Sequence, residues 1–242
     1  MINLYSIFLY KIKNNPIFMN IVVEGTVGCG KTTLGKFLSE FTNFKLYEEL
    51  TSDDTSVLLD KFYTDQTRWS FALQIHFLNE RFRMIKEINK LSEGILDRSI
   101  YGDKIFAEML HEDDKMTKEE FNTYKTLLDN MLEHIKPPHL MIYLKCSTET
   151  AVQRIAARNR GIETSVPMKY WLRLNDKYES WYNEYNQSEK MSLNVNDFNI
   201  YDDIQRKEFL NKILYKLDSL RTPEHQKRKK FVQELSKNIK SF

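Results

Sequence analysis

Cysteine is nearly absent: Cys29 and Cys146 are the two in a chain of 242 residues. They stand far apart, in segments that read as a loop and a strand end. A disulfide framework is therefore excluded, and a reducing, cytoplasmic setting is the expectation. Net charge is also scarce. Lys and Arg number 36 against 34 Asp and Glu, leaving +2, too little to imply a nucleic-acid partner. No apolar run reaches the ~18 residues of a membrane span, so no membrane association is expected. Internal repeats and low-complexity linkers are missing as well. What is present is ordinary for a globular protein, with 41% hydrophobic and 29% charged residues. That suits one domain, or one domain with a helical appendage, around a full core.

The first eighteen residues, MINLYSIFLYKIKNNPIF, mix short apolar patches with Lys11 and Lys13. The basic residues follow the apolar run and no small-residue cleavage site appears, which argues against a signal peptide. Met19 stands directly before the first strand, so residues 1–18 are expected to be a dispensable extension, as from an upstream start. Residues 19–220 form the expected catalytic domain, and residues 221–242 a basic helical tail.

Five short apolar runs read as strands: Asn20–Glu24, Lys45–Glu49, Gly94–Asp97, Leu140–Lys145 and Met191–Val195. Helical patterns separate them at Thr32–Phe41, Thr67–Leu91, Lys118–Ile135, Thr148–Asn159 and Pro167–Tyr185, with Ile204–Leu220 and Glu224–Lys240 after the last. Thr117, with Glu119 and Glu120 behind it, opens the third of these. Pro137-Pro138 closes it. Continuous apolar strands alternating with helices predict a five-stranded parallel sheet flanked by helices on both faces.

Gly25-Thr26-Val27-Gly28-Cys29-Gly30-Lys31-Thr32 fits the phosphate-loop pattern in its required setting, after an apolar strand and before a helix. Glycines let backbone N–H groups turn inward onto phosphate oxygens. The helix that follows presents its unpaired N–H groups and positive dipole end. Lys31 would reach the β- and γ-phosphates, and Thr32 would ligate Mg²⁺. Gly25, Gly28, Cys29, Gly30 and Thr33 complete the expected ATP contacts.

The loop alone does not choose among nucleotide-using enzymes. Asp97-Arg98-Ser99 ends the third strand, at the edge where ligands of open α/β sheets bind. Arg154 and Arg158 are four apart on one helix face, and Arg160 follows just past the helix end. Alone they read as a solvated face; beside a phosphate loop they read as a lid closing over the transferred phosphate.

From about residue 19 to 220 the chain resembles the deoxyribonucleoside kinases. The ordered segments that carry the resemblance are GTVGCGKTT, YEEL, RWSFALQ, DRSIYGD, RIAARNRGIE and KYESWY. DRSIYGDKIFAEML and NDKYESWY look most like the bacterial-type deoxyadenosine and deoxyguanosine kinases. The resemblance implies a P-loop kinase fold with an arginine-rich lid, ATP as donor, Mg²⁺, and a homodimer paired through long helices. It also implies transfer to the 5′-hydroxyl of a purine deoxyribonucleoside, with deoxycytidine a further candidate.

Residue by residue, the resemblance makes Glu49 the base that takes the 5′-hydroxyl proton. Its neighbour Glu48 stays the alternative, since relatives often carry proline where this chain has Leu50. Strand alternation lets one of the two point inward. Arg98 would orient that carboxylate, and Asp97 would help hold Mg²⁺ through water. Tyr63 and Glu163 match the pair on the sugar 3′-hydroxyl. Gln74 matches the amide that reads the base edge, and Arg81 and Asp103 the charged pair beside it. Phe106 is a candidate to line the base slot; Trp69 is a candidate for slot or core.

Two other readings compete. A thymidylate-kinase-like enzyme shares the loop, the Asp-Arg element and the lid, but its acceptor brings a phosphate to the second strand. Arginine is favoured there over the acidic pair present. A non-catalytic nucleotide-binding subunit would not need Lys31, Thr32, Glu49 and Arg98 together. Lys227-Arg228-Lys229-Lys230 reads as a solvated terminal face rather than a nucleic-acid site.

Overall fold

The computed structural model describes residues 19–49, 53–158 and 166–220. Five parallel strands form one sheet: β1 (Met19–Glu24), β2 (Leu46–Tyr47), β3 (Glu93–Asp97), β4 (Leu140–Lys145) and β5 (Glu189–Asn194), in the order β2-β3-β1-β4-β5. The apolar runs MNIVVE and LMIYLK become the central strands because their side chains are buried on both faces.

The helices are α1 (Lys31–Thr42), α2 (Asp53–Thr64), α3 (Gln66–Leu91), α4 (Ile100–Glu112), α5 (Lys118–Glu133), α6 (Thr148–Arg158), α7 (Met168–Glu184) and α8 (Asp203–Ser219). Local chemistry sets their ends. Asp65 accepts the Arg68 N–H at 3.0 Å to start α3, and Ser99 accepts from Gly102 at 3.0 Å to start α4. Thr117 and Glu120 form a reciprocal capping box on α5.

Among the described residues, those up to Asp197 form one compact unit, which carries the sheet and α1–α7, while α8 falls in a second. In that second unit Phe198 stacks on Phe209 at 4.6 Å, and Asp202 accepts the Ile204 and Gln205 N–H groups at 2.9 Å to open α8. Among the described residues no helix is long and apolar enough to cross a membrane.

Register places the site. Val23 of β1 lies opposite Asp97 of β3, and Glu24 opposite Tyr143 of β4. The phosphate loop leaving β1 and the Asp97-Arg98-Ser99 turn leaving β3 therefore emerge side by side at the carboxyl edge of the sheet.

Several expected boundaries differ. β2 is the edge strand and stops at Tyr47 instead of Glu49, because Glu48 and Glu49 leave the ladder for separate partners. β5 begins two residues before the expected Met191. Its polar start, Glu189-Lys190, shows no apolar pattern, yet pairs with Leu140 and Met141. The helices α2 and α4 have no counterpart among the ranges read from periodicity. In α2 only Thr55 is buried, so no apolar stripe announces it. The expected helix Glu224–Lys240 and the extension 1–18 lie outside the described residues.

Candidate active site

The phosphate loop owes its path to three glycines at positive φ: Gly25 at 147°, Gly28 at 81° and Gly30 at 95°. Close packing adds to the demand at Gly28, where a Cβ would meet Ala151 O at 2.5 Å and Ile155 Cγ1 at 3.0 Å. The loop is thereby pressed against one face of α6, the helix bearing the expected lid arginines. Lys31 is buried and folds back on the loop, with Nζ donating to Gly25 O at 3.0 Å and Thr26 O at 2.8 Å. Cys29 is buried beside it, its Sγ 3.9 Å from that ammonium. Thr32, in the first turn of α1, donates its hydroxyl to Asp97 Oδ2 at 2.5 Å. The other oxygen, Asp97 Oδ1, is buried with no hydrogen-bond partner among the described residues. Thr33 is exposed on the same turn.

Next to the loop opens a cavity of about 360 Å³. Its walls come from α2 (Leu59, Phe62, Tyr63), α3 (Leu73, Gln74, Phe77), α4 (Asp103, Phe106) and the start of α7, with Glu49 and Arg98 where it meets the sheet. Gln74 is buried and makes no side-chain hydrogen bond to another described residue. Apolar walls with a few convergent polar groups are the usual make-up of a small-molecule site.

Glu48 and Glu49 part company here. Glu48 turns outward to Lys36 at 3.4 Å. Glu49 turns inward, and its side chain is 23% exposed. Its Oε2 accepts from Arg98 Nε at 2.6 Å and its Oε1 from Arg81 at 3.2 Å. Burial alone would raise the Glu49 carboxyl, but the charges of Arg98, Arg81 and Lys31 outweigh it and hold the group below the ordinary glutamate range. Between the two candidate carboxylates, Glu49 is the one at the cavity.

Arg81 is 2% exposed and nearly saturated as a donor. It forks onto Asp103 at 3.3 and 3.2 Å, and reaches Asp97 O at 2.8 Å and Glu49. Burial lifts Asp103 above the usual aspartate range against the pull of Arg81. Arg98 donates to Tyr178 Oη at 2.6 Å and lies over the Phe106 ring at 5.0 Å. Its backbone sits at φ 71°, a left-handed position that a non-glycine residue holds only when its surroundings impose it.

Glu49, Arg98, Arg81, Asp103, Gln74, Tyr63 and Phe106 thus gather at one place, with Lys31, Thr32 and Asp97 beside them. Other expectations fare differently. Arg154 is engaged at the carboxyl end of β5, donating to Val195 O at 2.7 Å and Asn196 O at 3.5 Å, and does not stand free beside Arg158. Those carbonyls follow the last pairs of the β4–β5 ladder, which no local spacing reveals. Arg158 is exposed at the end of α6, while Arg160 and Glu163 lie outside the described residues. Trp69 belongs neither to the slot nor to the core. It lies partly exposed under Lys61 and Arg68, at 4.6 and 4.8 Å from its ring.

Sequence reasoning missed two members. Tyr178, in the segment KYESWY, is buried against Arg98. Glu24 is fully buried and accepts from Gly25 and Ser99 N–H. Burial raises its carboxyl, opposed by the charges of Arg98 and Lys31 and by those two hydrogen bonds. The available signal was an ionisable residue ending an otherwise apolar strand.

Comparison with known proteins shows the family and the fold. The deoxynucleoside kinase family model matches residues 21–217. The chain is 38% identical over 187 residues to a deoxyadenosine/deoxycytidine kinase of Bacillus subtilis, covering 76% of this chain and 85% of that one. It is 35% identical over 211 residues to a deoxyguanosine kinase of Lactobacillus johnsonii, covering 83% and 93%. The structure of deoxyadenosine kinase from M. mycoides with bound dATP superposes with a TM-score of 0.70 at 28% identity, over 81% of this chain and 99% of that one. A parallel sheet with a phosphate loop at its carboxyl edge, matched along most of its length, makes this chain a kinase of the deoxynucleoside kinase family.

Proposed function

We propose that the protein transfers the γ-phosphoryl group of ATP to the 5′-hydroxyl of a purine deoxyribonucleoside. The observation that carries this reading is the charge balance where the cavity meets the phosphate loop. Arg81 and Arg98 are both committed to carboxylates, those of Glu49 and Asp103. Two positive groups matched by two negative ones leave no surplus charge for an incoming monophosphate, as a thymidylate-kinase-like enzyme requires. A neutral hydroxyl needs a base instead, and Glu49 is held ionised and facing the cavity.

Glu49 accepts the proton as the 5′-oxygen bonds to the γ-phosphorus. The bond from that phosphorus to the β,γ-bridging oxygen breaks, and ADP departs. Lys31 exchanges its two loop carbonyls for phosphate oxygens. Arg158 and Arg160 supply further positive charge as the transition state spreads its own. Thr32 and Asp97 fit a Mg²⁺ ion, since the orphaned Asp97 Oδ1 is an acceptor left over for a cation or its water. When bound, that ion would neutralise charge on the β- and γ-phosphates.

Gln74, with an acceptor and a donor on one buried amide, reads the base edge, and Arg81 with Asp103 braces the far side. Tyr63 and Glu163 hold the sugar 3′-hydroxyl. Relatives named for deoxyadenosine and deoxyguanosine support the purine preference. A homodimer and a cytoplasmic setting belong to the same reading; sizing the full chain in solution tests the first. The preference is tested by steady-state rates with ATP and Mg²⁺ on the four deoxynucleosides. The two purines should show the highest kcat/KM, and thymidine matching them contradicts the assignment.

A further inference from the structure

Glu24 takes no part in the chemistry above, yet its buried carboxylate joins the two turns that meet there. Oε1 accepts the Gly25 N–H at 3.0 Å, where the phosphate loop begins. Oε2 accepts the Ser99 N–H at 2.6 Å, from a residue 75 positions away. Just before it, Val23 O accepts the Arg98 N–H at 2.9 Å. The backbone on both sides of Arg98 is thus pegged to the end of β1, and Arg98 between the pegs is held at φ 71°. In that strained setting its guanidinium reaches Glu49 Oε2 at 2.6 Å. Gly102 leaves the necessary room, because a Cβ there would stand 2.7 Å from Glu24 Oε2. Such an approach is tolerable for a free side-chain tip. Here the tip already holds two N–H groups.

We infer that Glu24 is a positioning residue for phosphoryl transfer: its carboxylate locks the Asp97-Arg98-Ser99 turn to the phosphate loop and acts on the reaction through Arg98 and Glu49. The inference rests on the reading of Glu49 as base. A carboxylate suits the task because both oxygens accept. A glutamine would turn an NH₂ donor toward one of the two N–H groups.

Two variants of the full chain test this, assayed on the deoxynucleoside that the wild type uses best. Glu24→Gln removes one acceptor. Gly102→Ala keeps the charge and improves helix propensity, but its methyl displaces Oε2. Each should lower kcat by about 10- to 100-fold, the scale of a small misplacement of catalytic groups. The nucleoside KM and the ATP Kd should stay within about threefold. Neither change should slow a Glu49→Gln enzyme further, since coupled residues are non-additive. Should Glu24→Gln fold poorly, Gly102→Ala carries the test, with kcat read beside a thermal melt: a purely structural role would lower the Tm and leave the kcat of the folded enzyme unchanged. Wild-type kcat in Gly102→Ala, or losses that persist in full on Glu49→Gln, would overturn the inference. Failure of the underlying reading looks different: the wild type itself would then phosphorylate no deoxynucleoside.

Discussion

Arg98 donates its Nε–H to Glu49 Oε2 across 2.6 Å while its own backbone stands at φ 71°. The two facts belong together. A left-handed arginine is strained by about 1–2 kcal/mol, and the fold bears that strain at the turn joining β3 to α4. In the ordinary β or α conformation the same side chain would leave the sheet edge in another direction. The site is thus preorganised by backbone geometry before any substrate arrives.

Replacing Glu49 by Gln keeps the shape and removes the proposed base. Turnover should fall by about 100-fold or more, the usual worth of a positioned base, with the nucleoside KM little changed. The pH dependence carries a sign as well. Glu49 is held below the ordinary 4.5 of a glutamate, so it is ionised throughout the neutral range. The wild-type rate should be flat there, and any acid limb owed to Glu49 should lie below pH 4.5. A stability contribution from the same depressed group is present above the unfolded value and lost as pH falls through the folded one.

Arg81→Met should destabilise the fold by about 3–5 kcal/mol in chemical denaturation, because it strands the buried Asp103 carboxylate without its partner, while Glu49 keeps Arg98. Asp103→Ala added to it should restore part of the loss. Asp103 already sits above the usual 3.8 of an aspartate, and Arg81 is what restrains it. Removing Arg81 raises it further, so the folded variant binds a proton more tightly than the unfolded chain. Its deficit should therefore be smaller at about pH 5 than at about pH 8. A deficit independent of pH would remove Asp103 from the explanation.

Two glycines of the phosphate loop should respond unequally to alanine. Gly30 has a φ of 95° with nothing within 4 Å of a new Cβ. Gly30→Ala should cost about 1–2 kcal/mol, the penalty of a left-handed residue. Gly28 has a φ of 81°, and its Cβ would strike Ala151 O at 2.5 Å, a helix backbone atom that cannot rotate away. Gly28→Ala should be the more destabilised in thermal melts and should weaken ATP binding more, because α6 must move off the loop. The reverse order would contradict this packing.

Much of the architecture was legible because it is local. Leu140–Lys145 appears where its apolar run stands, and Thr117 with Glu120 marked the start of α5. Gly25 to Thr32 announced the phosphate loop through backbone demands that few sequences meet. What was hidden depends on tertiary partners. Whether Glu48 or Glu49 faces inward is decided by Lys36 on one side and by Arg81 and Arg98 on the other, and strand alternation cannot name the winner. Arg154 looked like a free lid residue because the carbonyls that hold it lie just past β5, some forty residues on. Glu24 passed unnoticed because its partner Ser99 is brought near only by the β1–β3 register. Trp69 sat in a helical stripe, but the α2–α3 packing gave it cationic neighbours in place of a core.

The central claim is that the acceptor is a neutral deoxynucleoside and that Glu49 serves its hydroxyl. The most direct measurement offers the purified full chain γ-labelled ATP and Mg²⁺ with deoxyadenosine or deoxyguanosine, and separately with their 5′-monophosphates. Label should appear on the 5′-oxygen of the nucleoside to give the monophosphate, and the monophosphates should accept none above background. Efficient formation of a diphosphate from a monophosphate, with the nucleosides left untouched, would contradict it.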